Sequence, residues 1–273
     1  MNAGVPRVGF VGVGTIAEAL ITGMCAEGKH RADFLLSPRN AEIAAALAGR
    51  YPFVTIAADN QAVLDGSDIV FLAITPQVAE QVLSPLSFRP DQRIVSLVAT
   101  FDLARLRPLV APATTIVRAA PLPPVAQRMG ALPFHPPLPE IAALLDGLGL
   151  VVPLEREEDL DALWAVTALM GSYFGLLDQV SGWLTRRGVP DGQTRPYVGA
   201  VLHALGVAAQ ARSSEGFDRL AVAYSTPGGL NEQAWRELKA AGWPGLVSET
   251  LDLIHARIGG RATLADTLPR NRD

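Results

Sequence analysis

Apolar residues follow two rhythms along this chain of 273 residues. Early on, short unbroken apolar runs alternate with stretches at the helical period of three to four residues; later the helical period persists alone. Short apolar runs bounded by turn residues read as strands covered on both faces. They fall at 8–11, 33–36, 54–56, 68–74, 93–98 and 115–118, with a further pair at 131–134 and 150–152. Between them, helices are expected from Ile16 to about Glu27, ended by Gly28, and over 40–50, 60–64 and 77–83. Past residue 154 a long helix is expected over 157–187, with Leu160, Leu163, Trp164, Val166 and Leu169 on its apolar stripe and Gly188 ending it. Val189-Pro190-Asp191 restarts a helix running to about 211, and Trp243-Pro244 separates two more, over 230–240 and 244–258.

Strands alternating with helices define a doubly wound α/β domain whose ligand lies at the carboxyl ends of the strands. The expected organisation is therefore an N-terminal Rossmann-type doubly wound sheet, residues 1–154, followed by an all-helical C-terminal dimerisation domain, 155–260, and a polar tail, 261–273. Dimerisation enters because residues 197–209 are apolar nearly all round, and a helix without a wet face must be covered on every side. A second copy of the chain is the expected cover, giving a homodimer or larger homo-oligomer through the C-terminal helices.

Composition narrows the partners. The chain is 49% hydrophobic with a formal charge of −4 and no basic block, which argues against nucleic acid. No unbroken apolar run reaches the ~18 residues of a membrane span. Cys25 is the lone cysteine, so an intrachain disulfide is excluded and a reducing cytoplasm is the expected setting. His30, His135, His203 and His255 show no metal-ligand spacing, and no metal is expected.

Chemistry concentrates at the first strand–helix junction. Gly12, Gly14 and Ala17 form G-x-G-x-x-A between strand and helix, the arrangement that seats a dinucleotide diphosphate on a helix N-terminus. Thr15 and Ile16 belong to the same turn. At the end of the second strand, where NAD-binding chains place a carboxylate, stand Ser37, Arg39 and Asn40. All three can donate to a phosphate and Arg39 offers a planar fork, which favours NADPH over NADH. Ala73, Thr75, Pro76 and Ala99 fall on the same carboxyl-end rim. A second informative stretch, Ser225-Thr226-Pro227-Gly228-Gly229, lies between helices, where successive backbone N–H groups can hold a carboxylate.

The order of the glycine turn, Ser37-Pro38-Arg39, Ile74-Thr75-Pro76-Gln77, Val117-Arg118 and the Ser225–Gly229 stretch resembles the pyrroline-5-carboxylate reductase family over roughly residues 7–258. The resemblance implies reduction of a cyclic imine to proline with NADPH, and a helical domain interlocked with that of a second subunit. Departures gather on the substrate side. The family's Lys-Pro-Gln is Thr75-Pro76-Gln77, and its Met-Pro-Asn-Thr-Pro is Ala120-Pro121-Leu122-Pro123-Pro124. Its Ser-Gly-Ser-Gly-Pro-Ala-Tyr is Met170-Gly171-Ser172-Tyr173-Phe174-Gly175-Leu176, and its Ser-Pro-Gly-Gly-Thr-Thr ends here in Leu230-Asn231.

The residues also bear on reaction class. Lys29 and Lys239 are the only lysines, and none lies on the long helix over 157–187, where the related β-hydroxyacid dehydrogenases carry a proton-donating lysine. An imine arrives protonated and needs no strong acid, so imine reduction suits the chain better than ketone reduction. Tyr173, Ser172 and Thr226 are the catalytic candidates; Ser225, Thr226, Gly228, Gly229 and Asn231 are the substrate-binding ones. Two alternatives stand beside this reading: a non-catalytic NADP-binding relative with a decayed substrate site, and a reductase of another imine or keto substrate.

Overall fold

The computed structural model describes residues 5–26, 31–263 and 265. The expected end of the first helix at Glu27 and Gly28, His30, and most of the polar tail lie outside the described residues. The chain divides into two compact units, one made of 1–165 with 255–273, the other of Val166–Ile254.

The first unit is built on one eight-stranded sheet: β1 (Arg7–Val11), β2 (Asp33–Leu36), β3 (Val54–Ile56), β4 (Ile69–Leu72), β5 (Arg93–Ser96), β6 (Thr115–Ala119), β7 (Ala131–His135) and β8 (Leu150–Pro153). The spatial order is β3-β2-β1-β4-β5-β6-β7-β8, and every neighbouring pair is parallel except β6 with β7. The pair expected at 131–134 and 150–152 thus extends the same sheet, and His135 is the last residue of β7.

Strand alternation builds two cores. In β4, Ile69 and Phe71 face one layer while Val70 and Leu72 face the other. The first layer holds α1 (Thr15–Met24), α2 (Ala41–Arg50) and α6 (Pro139–Leu145); the second holds α3 (Asn60–Asp65), α4 (Pro76–Leu83) and α5 (Leu103–Leu109). Phe10 of β1 stacks on Phe71 with centroids 4.8 Å apart, fixing the sheet's centre. The next helix, α7 (Glu157–Thr167), packs Leu160 and Trp164 against Ala120.

The second unit holds α8 (Leu169–Arg186), α9 (Asp191–Ala211), α10 (Phe217–Ala223), α11 (Leu230–Ala240) and most of α12 (Trp243–Ile258). The long helix expected over 157–187 is interrupted at Ala168 into α7 and α8. Gly188, at φ +90°, turns the chain from α8 toward α9. By length and composition the run Glu157–Arg186 could cross a membrane, where an unbroken apolar count had found no such run. The difference is one of tolerance: isolated polar residues such as Asp178 interrupt a run without lowering its mean hydropathy much. Glu157 and Asp161, in its first turns, are committed to an ion pair with Arg118.

Candidate active site

The glycine turn is held from two directions. Gly12 sits at φ +91°, and a Cβ there would come within 2.5 Å of the Ala73 carbonyl oxygen, so the backbones leaving β1 and β4 touch. Its N–H donates to Ser37 Oγ at 3.0 Å. Asn40, itself left-handed at φ 67°, donates from Nδ2 to the Val13 carbonyl at 3.0 Å. The end of β2 therefore shapes the turn that follows β1. Ser37 is fully buried and acts from beneath, whereas Arg39 is exposed and makes no hydrogen bond or ion pair among the described residues.

Gly14 caps α1, and the space a Cβ would take there is open. That opening fits a diphosphate: the first-turn amides of Thr15, Ile16 and Ala17 have no partner within the helix and point outward from its positive end. Ala17 is fully buried against the sheet, so the close helix–strand packing that the motif requires is present. On the same rim Ala73 donates its N–H to the Val11 carbonyl, Thr75 and Pro76 open α4, and Ala99 follows β5. All twelve expected cofactor residues thus stand at the carboxyl ends of four adjacent strands, β2, β1, β4 and β5.

The substrate-side candidates lie in the second unit. Ser172 and Tyr173 are exposed on α8, with Tyr173 edge-on to Phe174 at 5.5 Å. Thr226-Pro227-Gly228-Gly229 is a tight turn in which Gly229 N–H donates to the Thr226 carbonyl at 2.7 Å and Gly228 takes φ +71°. Gly228 N–H meets a carboxylate within the chain, Glu232 Oε2 at 2.5 Å. Ser225 Oγ donates back to the Ala221 carbonyl and Asn231 Nδ2 to the Tyr224 carbonyl, both at 2.7 Å. A cavity of about 820 Å³ is lined by Ser225, Pro227, Glu232, Asp218, Trp235 and Lys239, among others. It gathers part of the turn but neither Ser172 nor Tyr173. Among the described residues no group of three or more His, Cys, Asp or Glu is disposed to hold a metal.

Residues 7–100 match the family model described as NADP oxidoreductase, coenzyme F420-dependent. Pyrroline-5-carboxylate reductase of Pseudomonas aeruginosa is 31% identical across 96% of this chain and 98% of its own. The chain belongs to the pyrroline-5-carboxylate reductase family. Two solved structures share its fold: the 1-pyrroline-5-carboxylate reductase of Streptococcus pyogenes, with TM-score 0.81 at 24% identity over 93% of this chain and 98% of that one, and the pyrroline carboxylate reductase of Plasmodium falciparum with NADP bound, with TM-score 0.78 at 16% identity over 94% and 98%.

Within the frame of the pyrroline-5-carboxylate reductases, one residue of the quoted Val117-Arg118 pair has partners that the sequence reading did not name. Arg118, at the end of β6, is 1% exposed and holds Glu157 and Asp161 of α7. The available signal was a lone charge inside an apolar strand, answered by acids spaced i, i+4 on a helix.

Proposed function

We propose that the chain reduces a cyclic imine with NADPH, with pyrroline-5-carboxylate reduced to proline as the first substrate to test. The observation that carries this reading is the end-to-end match to a pyrroline-5-carboxylate reductase, made over a glycine turn and strand ends that fit a phosphorylated dinucleotide. When bound, the coenzyme supplies a hydride from its reduced nicotinamide. The protein's own work is to orient and to exclude water. Gly12 to Ala17 hold the diphosphate, Arg39 and Asn40 the ribose phosphate, and Ala73, Thr75, Pro76 and Ala99 the rim beyond. Ser225, Thr226, Gly228, Gly229 and Asn231 bind the substrate, with Ser172 and Tyr173 as hydroxyl donors. A protonated imine that accepts hydride at carbon becomes the neutral amine directly, so no lysine is required at the site.

A second reading draws on specific residues. Thr75, Leu122 and Leu230 are less polar or less charged than the family pattern quoted above, which suits an imine without the ring carboxylate. The deciding measurement is NADPH oxidation by the purified chain offered pyrroline-5-carboxylate, pyrroline-2-carboxylate and unsubstituted 1-pyrroline. Turnover with the first supports the leading reading, and turnover with 1-pyrroline alone moves the substrate class. NADPH binding without turnover on any imine would leave a non-catalytic relative.

We propose also that the helical unit pairs with that of a second copy. Tyr197, Leu205 and Val207 of α9, and Phe174 and Trp183 of α8, are each about half or more exposed, an apolar surface suited to an identical partner. A reducing cytoplasm suits a chain whose one thiol is free and buried.

A further inference from the structure

We infer that Arg118, Glu157 and Asp161 form a positioning cluster for the nicotinamide end of the coenzyme. The inference rests on the proposed coenzyme but not on which imine is reduced. Alternation along β6 sends Val117 and Ala119 to one core and Arg118 to the side of Ile116, at the carboxyl edge of the sheet. A guanidinium buried there must find partners for five donors. Nη1 donates to Glu157 Oε1 at 2.7 Å and to Asp161 Oδ1 at 2.9 Å, and Nη2 to the Ala99 carbonyl at 3.3 Å. The Trp164 ring lies 5.3 Å from the guanidinium carbon. Glu157 Oε1 also accepts the Leu103 N–H at 2.8 Å, where α5 begins. One cation thereby fixes both ends of the 99–103 loop and ties them to α7.

As a stabilising device the cluster is poor. A buried ion pair does not outperform an apolar replacement of similar volume, and Arg118 Nε is left buried with no partner. As a geometric device it is good, because it sets a carbonyl and an amide at one spot on the rim. That spot follows from the topology. With the diphosphate over β1 and the adenosine side over β2, the other half of the dinucleotide extends over β4 and β5, toward Ala99. Strands ~4.8 Å apart put the end of β5 about 10 Å from that of β1. The cluster underpins the loop on which the nicotinamide rests, and Arg118 acts through Ala99 and Leu103 rather than on the reacting atoms.

The test compares two ligands on the full-length protein: NADPH, and adenosine 2′,5′-bisphosphate, which lacks the nicotinamide half. Glu157→Gln and Asp161→Asn keep shape while removing charge, and Arg118→Lys keeps charge while removing the fork. Affinity for the bisphosphate is expected to stay within about twofold of the parent protein in each variant. NADPH is expected to bind less tightly, with altered nicotinamide fluorescence. Where the parent turns over, kcat is expected to fall roughly 10- to 100-fold with KM for the imine unchanged and a larger primary deuterium isotope effect. Should Arg118→Lys fail to fold, the two acid variants carry the test. Equal weakening of both ligands, or lowered Tm with the parent's NADPH affinity and fluorescence, would overturn the inference. A parent protein that binds NADPH but reduces no imine would refute the proposed reaction while leaving the two-ligand comparison intact. A parent that binds neither ligand refutes both.

Discussion

The two pyridine coenzymes differ by one phosphate on the adenosine ribose, and the end of β2 carries Arg39, exposed and without a hydrogen bond or ion pair among the described residues. A hydrogen bond to a charged group is worth about 1.5–3 kcal/mol, roughly a 10- to 150-fold change in affinity. Arg39→Ala is therefore expected to weaken NADPH by that factor and NADH by less than threefold, as read by titrating each coenzyme. Equal losses would place Arg39 away from the phosphate. Cys25 is a second residue with a definite expectation. Burial against α1's core pushes its thiol up from 9.0 to about 12, against a smaller opposing pull from Arg50. The folded chain keeps this proton between pH 9.0 and about 12 while the unfolded chain gives it up, so stability declines across that window and gains nothing from Cys25 below it. Thiol labelling at pH 8 should therefore be negligible in the native protein and reach one equivalent on denaturation.

At the level of elements, the start of α11 carries a built-in contest. Glu232 is the third residue past the Gly229 cap, and its carboxylate accepts the Gly228 amide ahead of the helix, much as a capping box does. A substrate carboxylate seeking that amide must displace it. Glu232→Ala is expected to cost about 0.5–1 kcal/mol of stability. It is also expected to lower KM for pyrroline-5-carboxylate and leave that for 1-pyrroline unchanged. If neither KM moves, the turn is a helix cap alone. Strands such as β1, β2 and β4 were legible because burial on both faces leaves a short apolar run, and α9 and α11 because turn residues bound an unbroken helical stretch. The helices α5, α6 and α10 were not. Each spans only seven residues, and α5 contains Pro108 while α6 opens on Pro139, which read as breakers. The glycine turn was legible for a local reason, since its residues follow one another. The ion pairs of Arg118 were not, because its acids lie 39 and 43 positions away and only the folded sheet brings them together.

For the molecule as a whole, the second unit poses a question of cover. Val166–Ile254 has four buried residues, Ser181, Thr194, Val198 and Leu220, and two of the four are hydroxylated. Against them stand exposed large apolar side chains on every helix from α8 to α12, Leu230 at 84% and Val222 at 73% among them. Apolar area left in water forgoes about 25 cal/mol per Å², so a helical unit this bare gains little from folding alone. Pairing with an identical unit would bury the same stripe twice under one symmetry axis, which is why a self-complementary face is the economical solution. Light scattering on the purified chain is expected to give at least twice 28.9 kDa at micromolar concentration. Tm should rise with protein concentration, as it must when association stabilises only the folded form. Leu205→Asp, which sets a charge on the α9 stripe, should lower the mass toward 28.9 kDa and depress Tm, while Asp218→Asn in the exposed first turn of α10 should change neither. A monomer whose Tm is independent of concentration would mean that the exposed stripe is covered by something other than a second copy.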